Sequence, residues 1–211
     1  MESEVAVVGG GVVGSAVALA LARRGVTVAL LEAEPEPGLG ASGTNSGILH
    51  TGFDSAAGEL ETELILRSAA LRDPVLEALG VPALRCGGLV RPVDPAQGET
   101  VAALAQNARR NGVEASPRAD GSLEVPGETM TDPVAYTLAL AAAARRHGAE
   151  LRTSFRVAAV ERVADGFRLG AQDGAATRCR VAVNCAGLYA DDVARLGGDA
   201  EGLIGLQRTS S

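Results

Sequence analysis

Residues 4–32 read EVAVVGGGVVGSAVALALARRGVTVALLE, and their pattern predicts a strand, a helix and a second strand in one βαβ unit. Val5 to Val8 is a short apolar run rich in β-branched residues, Val12 to Arg24 is Ala/Leu-rich over helical length, and Val26 to Leu31 is apolar again. Gly25 stands where the helix must stop. Between the first strand and the helix, Gly9, Gly11 and Gly14 fall in the G-x-G-x-x-G spacing. The first glycine permits a tight turn, the second lets backbone approach a pyrophosphate, and the third lets helix and strand pack closely. The helix start, with Val13 in its first turn, turns free N–H groups and the positive dipole end toward an anion. Glu32, followed by Ala33, closes the second strand, where a carboxylate accepts the hydroxyls of an adenosine ribose and repels a 2′-phosphate. Such a glycine string alone also makes ordinary turns. A strand before it, a helix after it and an acid at the expected distance make it a dinucleotide site.

Composition bounds the rest. Hydrophobic residues make up 46% of the 211, yet only two Tyr, three Phe and no Trp occur, so the core must be Val, Leu and Ala. The length suits one α/β domain with an insertion, or one and a half small domains. All nineteen basic residues are Arg, and the net charge of −7 without a basic run argues against nucleic acid or an acidic membrane surface as partner. Cys86, Cys179 and Cys185 show no CxxC or His-rich spacing, so neither a disulfide framework nor a zinc or other metal site is expected, and reduced thiols in a cytoplasmic protein are. The acidic N-terminus enters the first strand at once, which leaves no signal peptide to expect. No integral membrane segment is expected either, because Arg23 and Arg24 break the longest Ala/Leu stretch.

Residues 33–55, AEPEPGLGASGTNSGILHTGFDS, are rich in Gly, Ser and Pro and carry no helical or strand period. So long an irregular passage inside a compact domain is usually functional. Its polar centre, Ser42-Gly43-Thr44-Asn45-Ser46-Gly47, offers hydroxyls, an amide and small residues beside the phosphate turn. The stretch ASGTNSGILHTGF, joined to the upstream glycine fingerprint, resembles the FAD-dependent oxidoreductases of the D-amino-acid oxidase superfamily, in particular the branch of glycerol-3-phosphate dehydrogenases and L-2-hydroxyglutarate oxidases. The resemblance implies FAD as cofactor, with Ser42, Thr44, Asn45, Ser46 and Gly47 along its pyrophosphate and isoalloxazine and His50 near the flavin ring. His50 is then a covalent anchor, a noncovalent neighbour of flavin or substrate, or packed polar structure.

Further along, Glu59 to Leu79 has helical spacing of Leu60, Leu64, Leu71 and Leu76, and Pro74 is expected to divide it into two helices. Leu84 to Val93 reads as a strand, whose Cys86-Gly87-Gly88-Leu89-Val90 resembles the start of the family's substrate sheet. Gln97 to Asn111 is an amphipathic helix, Ser122 to Val125 a short strand, and Thr131-Asp132-Pro133 the capped start of a helix over Val134 to His147. His147, after Arg145 and Arg146, suits the negative helix end. Strands follow at Glu150 to Phe155, Val157 to Val163, Gly166 to Ala171 and Arg178 to Asn184, with Asp165-Gly166 and Asp173-Gly174 turning antiparallel hairpins. By resemblance, Val157 meets adenine through its main chain. VAVNCAGLYADDVARLGG, residues 181–198, is the second match: its Ala186-Gly187 turn lies against the cofactor, and Asp191 and Asp192 cap the helix that follows.

The expected fold is α/β, a Rossmann-like FAD-binding domain of the glutathione-reductase type in residues 1–84 and 131–211, with a shortened α+β substrate domain inserted at 85–130. The resemblance implies hydride transfer from a small hydroxy acid, glycerol phosphate or amino acid to flavin N5, with His50 as the plausible base. Relatives continue for a comparable length past Gly198, so the family pattern leaves this chain incomplete at its C-terminus. A homodimer, or a partner that supplies the missing half, is the expected assembly. The competing readings are an inactive FAD- or ADP-binding module and an NAD-dependent enzyme built on the same βαβ unit.

Overall fold

The computed structural model describes residues 2–198; residues 199–211, the last part of the expected FAD-binding domain, lie outside the described residues. The chain forms two compact units, one holding the residues up to Asn45 and from Pro133 onward, the other Ser46–Asp132.

The first unit opens with β1 (Glu2–Val8), α1 (Val12–Ala22) and β2 (Val28–Leu31), the expected strand, helix and strand. The two strands pair in parallel, with Val5 opposite Val28 and Val8 opposite Leu31. Parallel pairing demands a crossover, and α1 is that crossover.

The chain then enters the second unit through β3 (Ile48–Leu49) and α2 (Leu60–Leu79). Pro74 lies inside α2 and does not divide it. Proline strips the Ala70 carbonyl of its helical donor, but Ala70 and Pro74 are both exposed, so water can take that place and no break is forced. The leucine stripe of α2 meets a core only at Leu76, while Leu60, Leu64 and Leu71 face solvent. Next come β4 (Ala83–Leu84) and β5 (Gly88–Val90), two strands where the sequence predicts one. Gly87 separates them: at φ +65° it turns the chain, and its N–H donates to the Glu128 carbonyl at 3.0 Å.

The unit closes with α3 (Gly98–Arg110), β6 (Ser116–Pro117), β7 (Leu123–Val125) and β8 (Thr129–Thr131), giving two three-stranded antiparallel sheets, β3-β8-β4 and β5-β7-β6. Val101, Ala105 and Ala108 recur at helical spacing along α3 and pack with Leu123, Val125 and Phe53. Two asparagines at the end of α3 fasten the loop that carries Phe53. Asn107 Nδ2 donates to the carbonyls of Phe53 (3.0 Å) and Ser55 (2.7 Å), and Asn111 Nδ2 to those of Gly52 (2.7 Å) and Ser55 (2.8 Å). Asn107→Ala takes the side-chain donor from the Phe53 carbonyl, while Ser55 keeps that of Asn111, so it is expected to cost about 1–3 kcal/mol, read as a lower urea midpoint at unchanged slope.

Back in the first unit, α4 (Pro133–Arg146) leads to β9 (Glu150–Arg152), β10 (Val157–Val163), β11 (Gly166–Ala171), β12 (Ala176–Asn184) and α5 (Ala190–Leu196). One six-stranded sheet results, in the order β10-β11-β12-β1-β2-β9. β12, β1, β2 and β9 run parallel, and β10-β11-β12 form an antiparallel meander turned at the Asp-Gly pairs. Alternation splits the apolar runs of β1 and β2 between two cores. Val5, Val7, Val28 and Leu30 face Ala18, Ala22, Ala141 and Ala144. Ala6, Val8, Ala29 and Leu31 face Phe155, Leu169 and Cys179. Register aligns the carboxyl ends of the central strands, Val8 with both Leu31 and Asn184, so the turns after β1, β2 and β12 emerge at one edge. That edge of a parallel sheet is where such folds bind ligands. Among the described residues, no helix is long and apolar enough to cross a membrane.

Candidate functional site

At this edge the chain leaves β1 through Gly9, at φ +107°. A side chain there would overlap the Cys185 carbonyl, and one at Gly14 would overlap the Gly9 carbonyl, so the turn, α1 and the end of β12 are in contact through bare backbone. A Cβ on Gly11 would lie 2.9 Å from Ser42 Oγ. The amides here point outward from the helix start: that of Val12 donates to Ser42 Oγ at 2.9 Å and that of Gly10 to Glu32 Oε2 at 2.6 Å. The remaining first-turn amides have no partner inside the helix, as at any helix start.

Glu32 is held from two sides, since its Oε1 also accepts the N–H of Glu34 at 2.8 Å. Its carboxylate is partly buried, and each oxygen keeps a lone pair beyond the bond it already accepts. Glu34 in turn pairs with Arg156 at 2.6 Å. Between them the chain after β9 is drawn in, the amides of Ser154 and Phe155 donating to the carbonyls of Glu34 and Glu32 at 2.9 and 2.8 Å. Ser154 stands at φ +55°, a left-handed conformation uncommon for a residue with a side chain. On the far side, Asn184 folds the turn after β12. Its Oδ1 accepts the Ala186 amide at 3.2 Å and its Nδ2 donates to the Ala190 carbonyl at 2.7 Å.

These turns enclose a cleft of about 580 Å³ within the first unit. Gly9, Gly11, Val13, Glu32, Ala33, Ser42, Val157, Ala186 and Gly187, all singled out from sequence, line it. Gly14 stands behind the wall, its role the close packing just described. Thr44 and Asn45 lie past the lining residues and shape the loop, Asn45 Nδ2 donating to the Ser42 carbonyl at 2.8 Å. Sequence reading missed Glu34, Arg156 and Tyr189, which also line the cleft. Asp191 and Asp192 do not cap α5, which starts at Ala190 with Tyr189 as its N-cap. They sit in its first turn, where a carboxylate still favours the helix dipole, and Asp192 reaches Arg195 at 3.1 Å. Burial pushes the Cys185 thiol up from its usual value, as it does that of Cys179, which keeps both as neutral thiols and fits their role as small packing residues.

Ser46, Gly47 and His50 belong to the second unit. Gly47 offers its carbonyl to the Thr131 amide at 2.9 Å, which extends the pairing of β3 with β8. His50 follows β3 with its side chain 48% exposed and Nδ1 3.4 Å from Glu128 Oε2. Arg72 of α2 braces the same corner, donating to the carbonyls of Leu49 at 2.6 Å, His50 at 3.3 Å and Gly127 at 2.7 Å. Glu128 carried no signal in sequence. A shallow apolar concavity along Leu60, Leu64 and Ile65 of α2 lacks the convergent polar groups that orient a ligand.

The family described as FAD dependent oxidoreductase matches residues 4–209. A glycerol 3-phosphate dehydrogenase of Caloramator mitchellensis is 30% identical over 206 residues, covering 90% of this chain and 43% of that protein. The mitochondrial L-2-hydroxyglutarate dehydrogenase of Homo sapiens is 28% identical over 222 residues, covering 92% of this chain and 48% of that protein. The chain thus spans about half the length of the curated relatives it matches. Among solved structures, the L-α-glycerophosphate oxidase of Mycoplasma pneumoniae with FAD bound superposes with a TM-score of 0.87 at 23% identity, over 94% of this chain and 57% of the other. The glycine oxidase of Geobacillus kaustophilus superposes with 0.84 at 24% identity, over 94% and 58%. The fold is therefore the one expected from sequence, and with nearly its whole length matched the chain belongs to the FAD dependent oxidoreductase family.

Proposed function

We propose that the cleft of the first unit holds the ADP half of FAD, and that the chain is part of an oxidoreductase acting on a small hydroxy acid, glycerol phosphate or amino acid. The observation that carries this reading is the cradle at the start of α1. Side chains at Gly9 and Gly14 would overlap backbone, one at Gly11 would crowd Ser42 Oγ, and Glu32 stands on the same wall. The residues present fit the group. A helix start lined by glycine takes a pyrophosphate, a carboxylate with free lone pairs takes the ribose hydroxyls, and the extended backbone at Val157 suits the edge of adenine. Ser42, Thr44, Asn45, Ser46, Gly47, Ala186 and Gly187 complete the set of cofactor contacts. FAD, when bound, supplies the acceptor for the hydride of the donor's C–H bond. His50 takes the proton of the donor's hydroxyl or amine. The relatives that support this substrate class are named for glycerol 3-phosphate and L-2-hydroxyglutarate.

The test is the visible spectrum of the purified chain, mixed with FAD and passed through gel filtration. Flavin bands that stay with the protein support the reading. A colourless protein that binds ADP alone overturns it in favour of an adenine-nucleotide module without turnover, and retention of NAD without flavin points to a nicotinamide enzyme. Glu32→Ala removes the ribose acceptor together with the group that orders the Gly10 and Glu34 amides. Hydrogen bonds to a charged group contribute about 1.5–3 kcal/mol, so FAD is expected to bind roughly 10- to 100-fold more weakly. Quenching of flavin fluorescence on titration measures this directly.

A further inference from the structure

Strand register sets a carboxylate against the imidazole. β3 and β8 pair with Ile48 opposite Met130 and Leu49 opposite Thr129, and the next step of that register brings His50 opposite Glu128. Glu128 is buried, at 7% exposure. A carboxylate so placed is costly unless hydrogen bonds hold it. Its Oε1 accepts both the amide and the hydroxyl of Thr51, at 2.8 and 2.7 Å. Oε2 is turned the other way, 3.4 Å from His50 Nδ1. Arg72, which braces the same corner, directs its N–H groups to the carbonyls of Leu49, His50 and Gly127, while Oε2 faces the imidazole. The two oxygens thus divide the work: one clasps the backbone after His50, and the other faces the ring.

We propose that Glu128 is a positioning residue for His50, its carboxylate keeping the ring proton on Nδ1 so that Nε2 is the nitrogen free to accept a proton. The proposal rests on the reading of His50 as the base. The donor's hydroxyl or amine would give its proton to Nε2 while Nδ1 keeps its own proton toward Glu128 Oε2, and FAD, when bound, would supply the acceptor for the donor's hydride. A carboxylate behind a histidine fixes tautomer and ring direction in this way in hydrolases and metal sites alike.

The chain has only two histidines, His50 and His147, which makes the tautomer directly readable. In long-range ¹H–¹⁵N spectra of the labelled full chain, with His147→Gln to assign the signals, neutral His50 is expected as the Nδ1–H form. Glu128→Gln keeps an oxygen for Thr51 but presents N–H to the ring, so His50 is expected to switch to the Nε2–H form. A role limited to clasping Thr51 would leave the tautomer where it was, and that result overturns the proposal. If Glu128→Gln does not fold, the wild-type spectrum decides alone: an Nε2–H ring overturns it and an Nδ1–H ring supports it. In the FAD-loaded enzyme, turnover of glycerol 3-phosphate or L-2-hydroxyglutarate is expected to fall roughly 10- to 100-fold in Glu128→Gln, within what a positioned base contributes. Full turnover in His50→Gln would overturn the role through the reading it rests on, and the tautomer spectrum tells that failure from the other.

Discussion

Gly14→Ala is expected to lower the stability of the first unit by on the order of 3 kcal/mol and to abolish retention of FAD. The added methyl would overlap the Gly9 carbonyl, which is not free to retreat. Gly9 itself donates to the Leu31 carbonyl at 2.8 Å, and the Cys185 amide donates to Val8 at 2.8 Å, so the turn is anchored to the strands on both sides of β1. Relief would mean lifting α1 off the sheet and opening the core of Val5, Val7, Ala18 and Ala22. Alanine's better helix propensity returns about 1 kcal/mol and does not offset this. Against a total stability of roughly 5–15 kcal/mol the loss is large, and it corresponds to a fall of roughly 1–3 M in the urea midpoint. Gly98→Ala is the control. Gly98 opens α3 with nothing within 4 Å of an added Cβ and no left-handed backbone, so that change is expected to be neutral or mildly stabilising. Equal losses at both positions would refute the packing argument, because only Gly14 has backbone in its way.

What could be read from sequence divides along the range of the interactions. The βαβ unit was legible because each of its signals is local: an apolar run, a glycine spacing, an acid at the strand end. The hairpins of β10, β11 and β12 were legible for the same reason, through Asp165-Gly166 and Asp173-Gly174. The wall formed by Gly9, Gly11, Glu32 and Ala186 follows once strand order is known, since each residue sits at a strand's carboxyl end. Glu34 with Arg156 was not legible, because an ion pair between residues 122 apart leaves no period in either neighbourhood. Glu128 is the sharper case. Its Thr51 and His50 contacts depend on a register of two-residue and three-residue strands too short to announce themselves. Pro74 shows the opposite error, a strong local signal outvoted by an exposed helix face that tolerates a missing bond. The leucine stripe of α2 errs likewise: helical period marks an apolar face but not whether anything covers it, and Leu60 remains 69% exposed.

His50→Gln is expected to lower turnover of the FAD-loaded enzyme ~10²–10⁴-fold, the usual contribution of a positioned general base. Glutamine keeps a polar side chain of similar reach beside Glu128, and the Thr51 clasp on Glu128 Oε1 stays in place, so FAD affinity and folded stability are expected to change little. The loss should therefore fall on the rate of flavin reduction rather than on KM, which stopped-flow mixing with glycerol 3-phosphate or L-2-hydroxyglutarate resolves. A rise in KM with an unchanged reduction rate would instead make His50 a substrate contact. Acid precipitation separates the third role, because yellow that stays in the wild-type pellet and leaves in the His50→Gln pellet marks a covalent anchor. The double variant with Glu128→Gln gives the decisive comparison. If Glu128 acts only by aiming His50, removing it after His50 is gone costs nothing more, and the two losses are strongly non-additive. Two losses that simply add would mean that Glu128 reaches the chemistry by a path of its own.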